Sequence, residues 1–209
     1  MIRVFLTDDH AIVREGLKRV LSDAPGIEVI GEASNGHEAL DRLRSVKPDV
    51  MVLDLNMPGR GGLETLREIR DQYPKIRVLV LSMHPEDQFA LRVLREGARG
   101  YLNKGSAAED LVPAVLKIAA GGTWVSPALT ERMVEVIGGK NEEQHEKLSS
   151  REFEVLRALA RGRTVSEIAG DLFLSVKTVS TYRTRILEKM QLRTTAELMH
   201  YAIERGLVD

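Results

Sequence analysis

The sequence predicts two folded parts: an α/β part on a five-stranded parallel sheet with helices on both faces, then an all-α part of four helices. Three observations carry that expectation. Five short apolar runs alternate with helical patterns between residues 2 and 104, and such alternation favours right-handed crossovers and a parallel sheet. From residue 147 onward no strand pattern appears, while helix-start signals recur. Charge divides at the same place: residues 1–146 hold 19 Lys+Arg and 23 Asp+Glu, net −4, whereas residues 147–209 hold 11 and 8, net +3. An acidic front and a mildly basic back imply different partners.

The runs are "IRVFLT" (2–7), "IEVIGEA" (27–33), "DVMVLDL" (49–55), "RVLVLS" (77–82) and "GYLNK" (100–104). The second to fourth are nearly continuous in apolar residues, as strands buried on both faces are. Between the runs, Val13, Leu17, Val20 and Leu21 keep helical spacing, as do Leu63, Leu66 and Ile69, then Phe89, Val93 and Leu94. "SAAE", Ser106 to Glu109, reads as a capping box opening a fifth helix that stops at Gly121-Gly122. Pro113 inside it removes a backbone donor and predicts a kink or a late start.

Residues 121–146 are turn-rich and polar, a linker with a short helix around Ala128–Ile137. Three capping-box matches follow: Ser149 with Glu152, Thr164 with Glu167, and Thr194 with Glu197. With a start at Ser175 they frame four helices, two joined by the tight "LFLS" turn. The expected division is therefore 1–120, a linker over 121–146, and 147–209.

Composition narrows the function classes. With 43% hydrophobic and 29% charged residues among 209, the chain is composed like a globular protein. It contains no cysteine, which removes disulfides, thiol catalysis and cysteine metal sites. No run reaches the ~18 apolar residues of a membrane span, and the first residues lack a signal-peptide pattern. No membrane partner and a cytoplasmic location are expected.

"DVMVLDLNMPG" poses the chemical question, because a buried run ends on the carboxylate of Asp54. A desolvated charge is costly unless something pairs with it. Parallel sheets gather functional groups at the carboxyl ends of their strands. Those ends carry Asp8, Asp9, Asp54, Ser82 and Lys104. Any one of them alone reads as a cap, a turn residue or a solvated lysine; together they form one acidic rim with one cation. Three converging carboxylates call for a hard divalent cation such as Mg²⁺. The set suits phosphoryl transfer to Asp54, with the metal and Lys104 neutralising the transferring oxygens and Ser82 detecting the product.

The basic part offers a second surface. Residues 175–193 hold Lys177, Arg183, Arg185, Lys189 and Arg193 against one acid, Glu188. In a helix starting at Ser175, Val179, Ile186, Leu187 and Met190 form the core stripe. Lys177, Ser180, Thr181 and Thr184 then line a polar face, with Tyr182, Arg183 and Arg185 beside it and Thr178 in the first turn. A solvated basic face is the bland reading; the preceding helix and tight turn favour a helix-turn-helix entering the major groove of double-stranded DNA.

"TDDH", "DLNMPG", "VLSMH" and "GYLNK" resemble the receiver domain of two-component response regulators, a flavodoxin-like fold. "LSSREFEVLRALARGRTVSEIAGDLFLSVKTVSTYRTRILEKM" resembles the LuxR-type helix-turn-helix, and the whole chain resembles the NarL/FixJ family. The resemblance implies Asp54 as phosphoacceptor for a sensor histidine kinase. It implies Asp9, Asp54 and the Asn56 carbonyl as Mg²⁺ ligands, Asp8 acting through water, and Ser82, Lys104 and Tyr101 as switch residues. It further implies a homodimer on promoter DNA when phosphorylated, and no catalysis beyond self-phosphorylation from a donor and self-dephosphorylation. Met83 stands where many such receivers carry a smaller residue, and Ser180 and Thr184 where many relatives carry lysine. A dehalogenase-type phosphatase would need a second Asp two residues after Asp54, where this chain has Asn56. A ligand-sensing regulator would need an apolar pocket in place of the acidic rim.

Overall fold

The structure, a computed structural model, describes residues 1–57, 61–83, 86–137 and 144–208. The chain divides into two compact units, Met1–Met133 and Val134–Asp209. In the first, β1 (Ile2–Thr7), α1 (Ala11–Ser22), β2 (Ile27–Ala33), α2 (Gly36–Leu43), β3 (Val50–Asp54) and α3 (Gly62–Gln72) lead into β4 (Arg77–Ser82), α4 (Glu86–Arg95), β5 (Gly100–Asn103) and α5 (Ala107–Ala119). All five strands are parallel, in the order β2-β1-β3-β4-β5. The expected α/β architecture is present.

Side-chain alternation explains the layers. Val4, Leu6, Val52, Leu79 and Leu81 pack with Leu17 and Leu21 of α1 and Leu111, Val115 and Ile118 of α5. The residues between them, Phe5, Met51, Leu53 and Val80, are equally buried. They face the opposite side, where Leu40, Leu66, Ile69 and Phe89 of α2, α3 and α4 are also buried. A strand covered on both faces has no solvent side to advertise, hence the unbroken apolar runs. Each leucine so buried contributes roughly 1.5–3 kcal/mol.

Two local expectations differ. No capping box opens α5: Ser106 closes a short 3₁₀ turn, Lys104–Ser106, and its hydroxyl donates to the Asn103 carbonyl instead. The helix then starts at Ala107 and runs through Pro113, so its start is not late. Beyond α5, Trp124 pairs with the outer edge of β5, its carbonyl accepting from Tyr101 N–H and its N–H donating to the Arg99 carbonyl, both at 3.0 Å. Gly100 permits that approach, since a Cβ there would lie 2.9 Å from the Trp124 Cβ. Helix α6 spans Pro127–Ile137, one residue longer than expected.

In the second unit, α7 (Ser150–Ala160), α8 (Val165–Asp171), α9 (Val176–Lys189) and α10 (Thr195–Glu204) enclose Phe153, Leu156, Ile168, Val179, Ile186, Met190 and Leu198. The capping boxes at Ser149 and Thr164 are complete. At Thr194 half forms, because the Glu197 carboxylate accepts from Arg193 N–H rather than from the cap residue. Residues 144–147, polar in composition, form a 3₁₀ turn whose His145 is buried, with Nδ1 2.9 Å from the Tyr201 hydroxyl and its ring stacked on Phe153.

Candidate functional site

The sheet order brings the rim together. β1 lies beside β3, β3 beside β4 and β4 beside β5, with Thr7 opposite Leu53, Asp54 opposite Leu81 and Ser82 opposite Asn103. The residues at and just past these ends, Asp8, Asp54, Ser82 and Lys104, therefore share one edge. Asp8, Asp54 and Ser82 are at most 1% exposed.

Lys104 joins the two buried carboxylates. Its Nζ lies 2.7 Å from Asp54 Oδ2 and 2.7 Å from Asp8 Oδ2. Asp54 Oδ1 accepts from Asn56 N–H at 3.0 Å, and Asp8 Oδ1 from His10 N–H at 2.8 Å. Burial pushes the Asp54 carboxyl above the usual aspartate range, against the opposing pull of Lys104 and the Asn56 N–H. Burial works against the Lys104 ammonium too, but its hydrogen bonds to Asp54 and Asp8 prevail and its pKa is raised. The rim thus holds a carboxylate that burial makes uncomfortable and that one cation steadies.

Asp8, Asp9, His10 and Asp54 place one ligand atom each within 4.8 Å of one another. Asp9 Oδ1 is buried yet accepts no hydrogen bond; Nδ1 of the exposed His10 ring lies 2.8 Å from it. Three carboxylates against one ammonium leave an oxygen-rich, negative rim, which fits a hard cation. His10 sits in the quoted "TDDH" but was not among the expected rim residues; its proximity to two acids is the signal it offered.

Two more residues hold the rim in shape without belonging to it. Arg14 Nη1 donates to the Asp8 carbonyl at 2.7 Å, and its Nε lies 3.8 Å from Glu32. Gly62 lets α3 close over the end of β3, since a Cβ there would lie 2.2 Å from the Asp54 carbonyl oxygen. Of the other expected residues, Tyr101 is buried at 2% exposure on β5, while Asn56 is exposed. Met83 is 66% exposed.

The second unit presents the polar face of α9. Lys177, Ser180, Thr181, Arg183, Thr184 and Arg185 are exposed, and Tyr182 is half-buried beside them. Ser175 caps the helix, accepting from Thr178 N–H, and the two hydroxyls lie 2.7 Å apart. Thr181 Oγ1 donates to the Lys177 carbonyl at 2.9 Å and Thr184 Oγ1 to the Ser180 carbonyl at 3.2 Å. Of the five cations expected here, Lys189 turns away: its Nζ bonds the buried Glu152 at 2.7 Å. Among the described residues Lys177, Arg183 and Arg185 enter no ion pair. Leu187 is half-buried, so the core stripe is carried by Val179, Ile186 and Met190.

Known proteins resemble the chain over both units. Residues 4–116 match the response regulator receiver domain, and residues 146–202 match the bacterial regulatory proteins of the luxR family. The chain is 38% identical to the response regulator GacA of Pseudomonas aeruginosa, covering 100% of this chain and 99% of that protein. It is 37% identical to the response regulator UvrY of Escherichia coli, covering 100% and 97%. Among solved structures, RcsB of Salmonella enterica serovar Typhimurium, bound to the promoter P1flhDC in the presence of the phosphomimetic BeF3-, superposes with a TM-score of 0.68 at 28% identity, covering 96% of this chain and 97% of that one.

Proposed function

The chain belongs to the two-component response regulators that join a receiver domain to a LuxR-type DNA-binding domain, and from that premise we propose that phosphorylation of Asp54 governs its binding to promoter DNA. The observation that carries the reading is Asp54 itself, buried at a strand end, held by Lys104 and flanked by Asp8 and Asp9. In the transfer, an Asp54 carboxylate oxygen attacks the phosphorus of a phosphohistidine on a partner sensor kinase. The P–N bond breaks, the imidazole leaves, and Asp54 carries the phosphoryl group as an acyl phosphate. A small acyl-phosphate donor serves in the same way, and attack by water on phosphorus returns free Asp54.

The carboxylates of Asp8, Asp9 and Asp54 and the Asn56 carbonyl would hold Mg²⁺, Asp8 through water. When bound, Mg²⁺ supplies positive charge to the phosphoryl oxygens beyond what Lys104 provides. Lys104, already 2.7 Å from Asp54, pairs with the transferred group, and Ser82 donates a hydrogen bond to it, drawing Tyr101 with it. The working division is a receiver over 1–120, a linker over 121–146 and a DNA-binding domain over 147–209. Trp124 on the β5 edge is a reason to carry the receiver a few residues further.

For DNA, the exposed face of α9 supports major-groove entry. Lys177, Arg183 and Arg185 supply charge to phosphates or guanines, and Ser175, Thr178 and Tyr182 border the phosphates. Ser180, Thr181 and Thr184 face the bases. Two copies, paired on phosphorylation, would occupy half-sites about one helical turn apart. The site assignment is tested by incubating native protein and Asp54→Ala with acetyl phosphate and Mg²⁺. Native protein should take up a hydroxylamine-sensitive phosphate and Asp54→Ala none; persistent labelling would place the acceptor elsewhere.

A further inference from the structure

The receiver has a second cleft at the opposite end of the sheet from Asp54. It is a half-open cleft of about 710 Å³ where the amino ends of β3, β4 and β5 meet the carboxyl ends of α3 and α4. Arg77 opens β4, Arg99 precedes β5, and Lys75 lies in the turn between α3 and β4; all three line it. Pro74, Ile76 and Leu94 form an apolar part of the same wall.

The charge of this cleft is not cancelled locally. Its one acid, Asp49, is held by Arg3, whose guanidinium lies 3.0 Å from Oδ1 and 3.2 Å from Oδ2, with the Arg3 N–H a further 2.9 Å donor. Arg70, also in the lining, is taken by Asp71 at 2.8 Å. Among the described residues, Lys75, Arg77 and Arg99 enter no ion pair. Cations near helix carboxyl ends are partly explained by the helix dipole. That explanation covers Lys75 after α3 but not Arg77 and Arg99, which stand at strand starts. Three uncommitted cations are thus gathered in a cleft of the unit that carries the chain's acidic excess.

We propose that this cleft binds a small organic phosphate of nucleoside diphosphate type. Guanidinium groups match phosphate oxygens with two parallel donors, and a lysine adds a compact charge. The volume falls within the range of small-molecule sites. Pro74, Ile76 and Leu94 offer the apolar surface that a base needs and that a bare anion would not. Arg77 and Ser82 are the two ends of β4, six residues long, so the cleft lies ~17 Å from the rim and is separate from the phosphoacceptor.

Calorimetric titration of the full chain with adenosine diphosphate, without Mg²⁺, tests this. Native protein should bind one equivalent saturably, and the double variant Arg77→Gln/Arg99→Gln should bind about tenfold or more weakly. Lys75→Gln, an exposed turn position, should also weaken binding, so the result does not hang on one variant's folding. The control Lys177→Gln/Arg185→Gln, on α9, should leave binding unchanged. Pyrophosphate should bind more weakly than the nucleotide. Three results would overturn the proposal: no saturable binding, a loss that follows the α9 pair instead, or pyrophosphate binding as tightly as the nucleotide. Labelling of Asp54 should proceed normally in the cleft variants, which separates this outcome from any failure of the phosphoacceptor reading.

Discussion

The acidic rim and the face of α9 are built on opposite plans. The rim draws Asp8, Asp54, Ser82 and Lys104 from four strand ends, and three of these are at most 1% exposed. The α9 face comes from one stretch of helix, and most of its candidate residues are exposed. In the rim Asp8, Asp54 and Lys104 are joined to one another or to backbone N–H groups at 2.7–3.0 Å, while Asp9 Oδ1 accepts no hydrogen bond. On α9, Lys177, Arg183 and Arg185 enter no ion pair among the described residues. A low-dielectric site of coupled charges is intolerant, because removing one member leaves another buried and unpaired. An exposed face is graded: each contact adds a modest, salt-sensitive amount. The first plan suits a switch and the second suits tuning of affinity and sequence preference.

Substitutions at four positions test that contrast. The largest effect is expected from Lys104→Met, which removes the cation shared by Asp8 and Asp54. Transfer from acetyl phosphate should slow by ~10²–10³, the usual cost of losing one preorganised charge on a reacting oxygen. A pH profile sharpens the point. Burial already raises the Asp54 pKa, and only the ionised carboxylate attacks, so labelling should fall as pH drops through a value above that of an ordinary aspartate. Lys104 opposes the shift, so Lys104→Met should move the acid limb further upward. An unchanged rate and profile would show the rim to be as forgiving as a surface.

The next effect concerns Thr181, whose hydroxyl is spent on the Lys177 carbonyl. Its methyl is then the group free to meet a thymine methyl. Thr181→Val should keep the preferred DNA sequence, and Thr181→Ser should relax it at one base pair by ~1–3 kcal/mol. Binding selections that give the reverse order would make the hydroxyl, not the methyl, the reader. Arg185→Ala should instead weaken binding to every sequence alike and reduce the salt slope by about one. A change of preference without a change of slope would move Arg185 from the phosphates to the bases.

The smallest effect is expected from Lys189→Met, which tests whether the DNA-binding unit also contains a site of the first kind. Burial favours the neutral form of Glu152, but the Lys189 hydrogen bond, with those from Ser149, brings its pKa below the ordinary glutamate value. A lowered folded-state pKa stabilises the protein above the unfolded-state pKa, and that contribution disappears as pH falls through the lowered value. Without Lys189 the loss should begin at higher pH. Lys189 is 44% exposed, so the cost near neutrality should be at most about 1 kcal/mol. Acid unfolding followed by circular dichroism checks both the direction and the size.

Much of this was legible in the residues. The strands at 2–7, 27–33 and 77–82 begin and end where the apolar runs do. The caps at Ser149, Thr164 and Ser175 open the helices they signal. Asp8, Asp9, Asp54 and Lys104 could be grouped because strand carboxyl ends in a parallel sheet share an edge. Ser106 misled because the 3₁₀ turn before it leaves its backbone at φ −100°, ψ 3°, outside the extended conformation from which a capping oxygen accepts. Trp124 was hidden because a backbone pairing needs no particular side chain.

What the sequence determined by itself is periodic and local: spacings of two and 3.6, capping oxygens, turn residues and the placing of charges along the chain. Tertiary structure alone decided which distant groups meet. The order β2-β1-β3-β4-β5 places β1 beside β3 although β2 intervenes in the chain, and that adjacency lets one lysine reach both Asp8 and Asp54. The same holds for cations that look alike in sequence. Lys189 is drawn inward because Glu152 on α7 is buried within reach, while Arg185, four residues earlier on α9, finds no acid there. Arg77 and Arg99 share a cleft only because β4 and β5 pair in register. Electrostatic partnership depends on separation in space and on the local dielectric, and folding alone sets both.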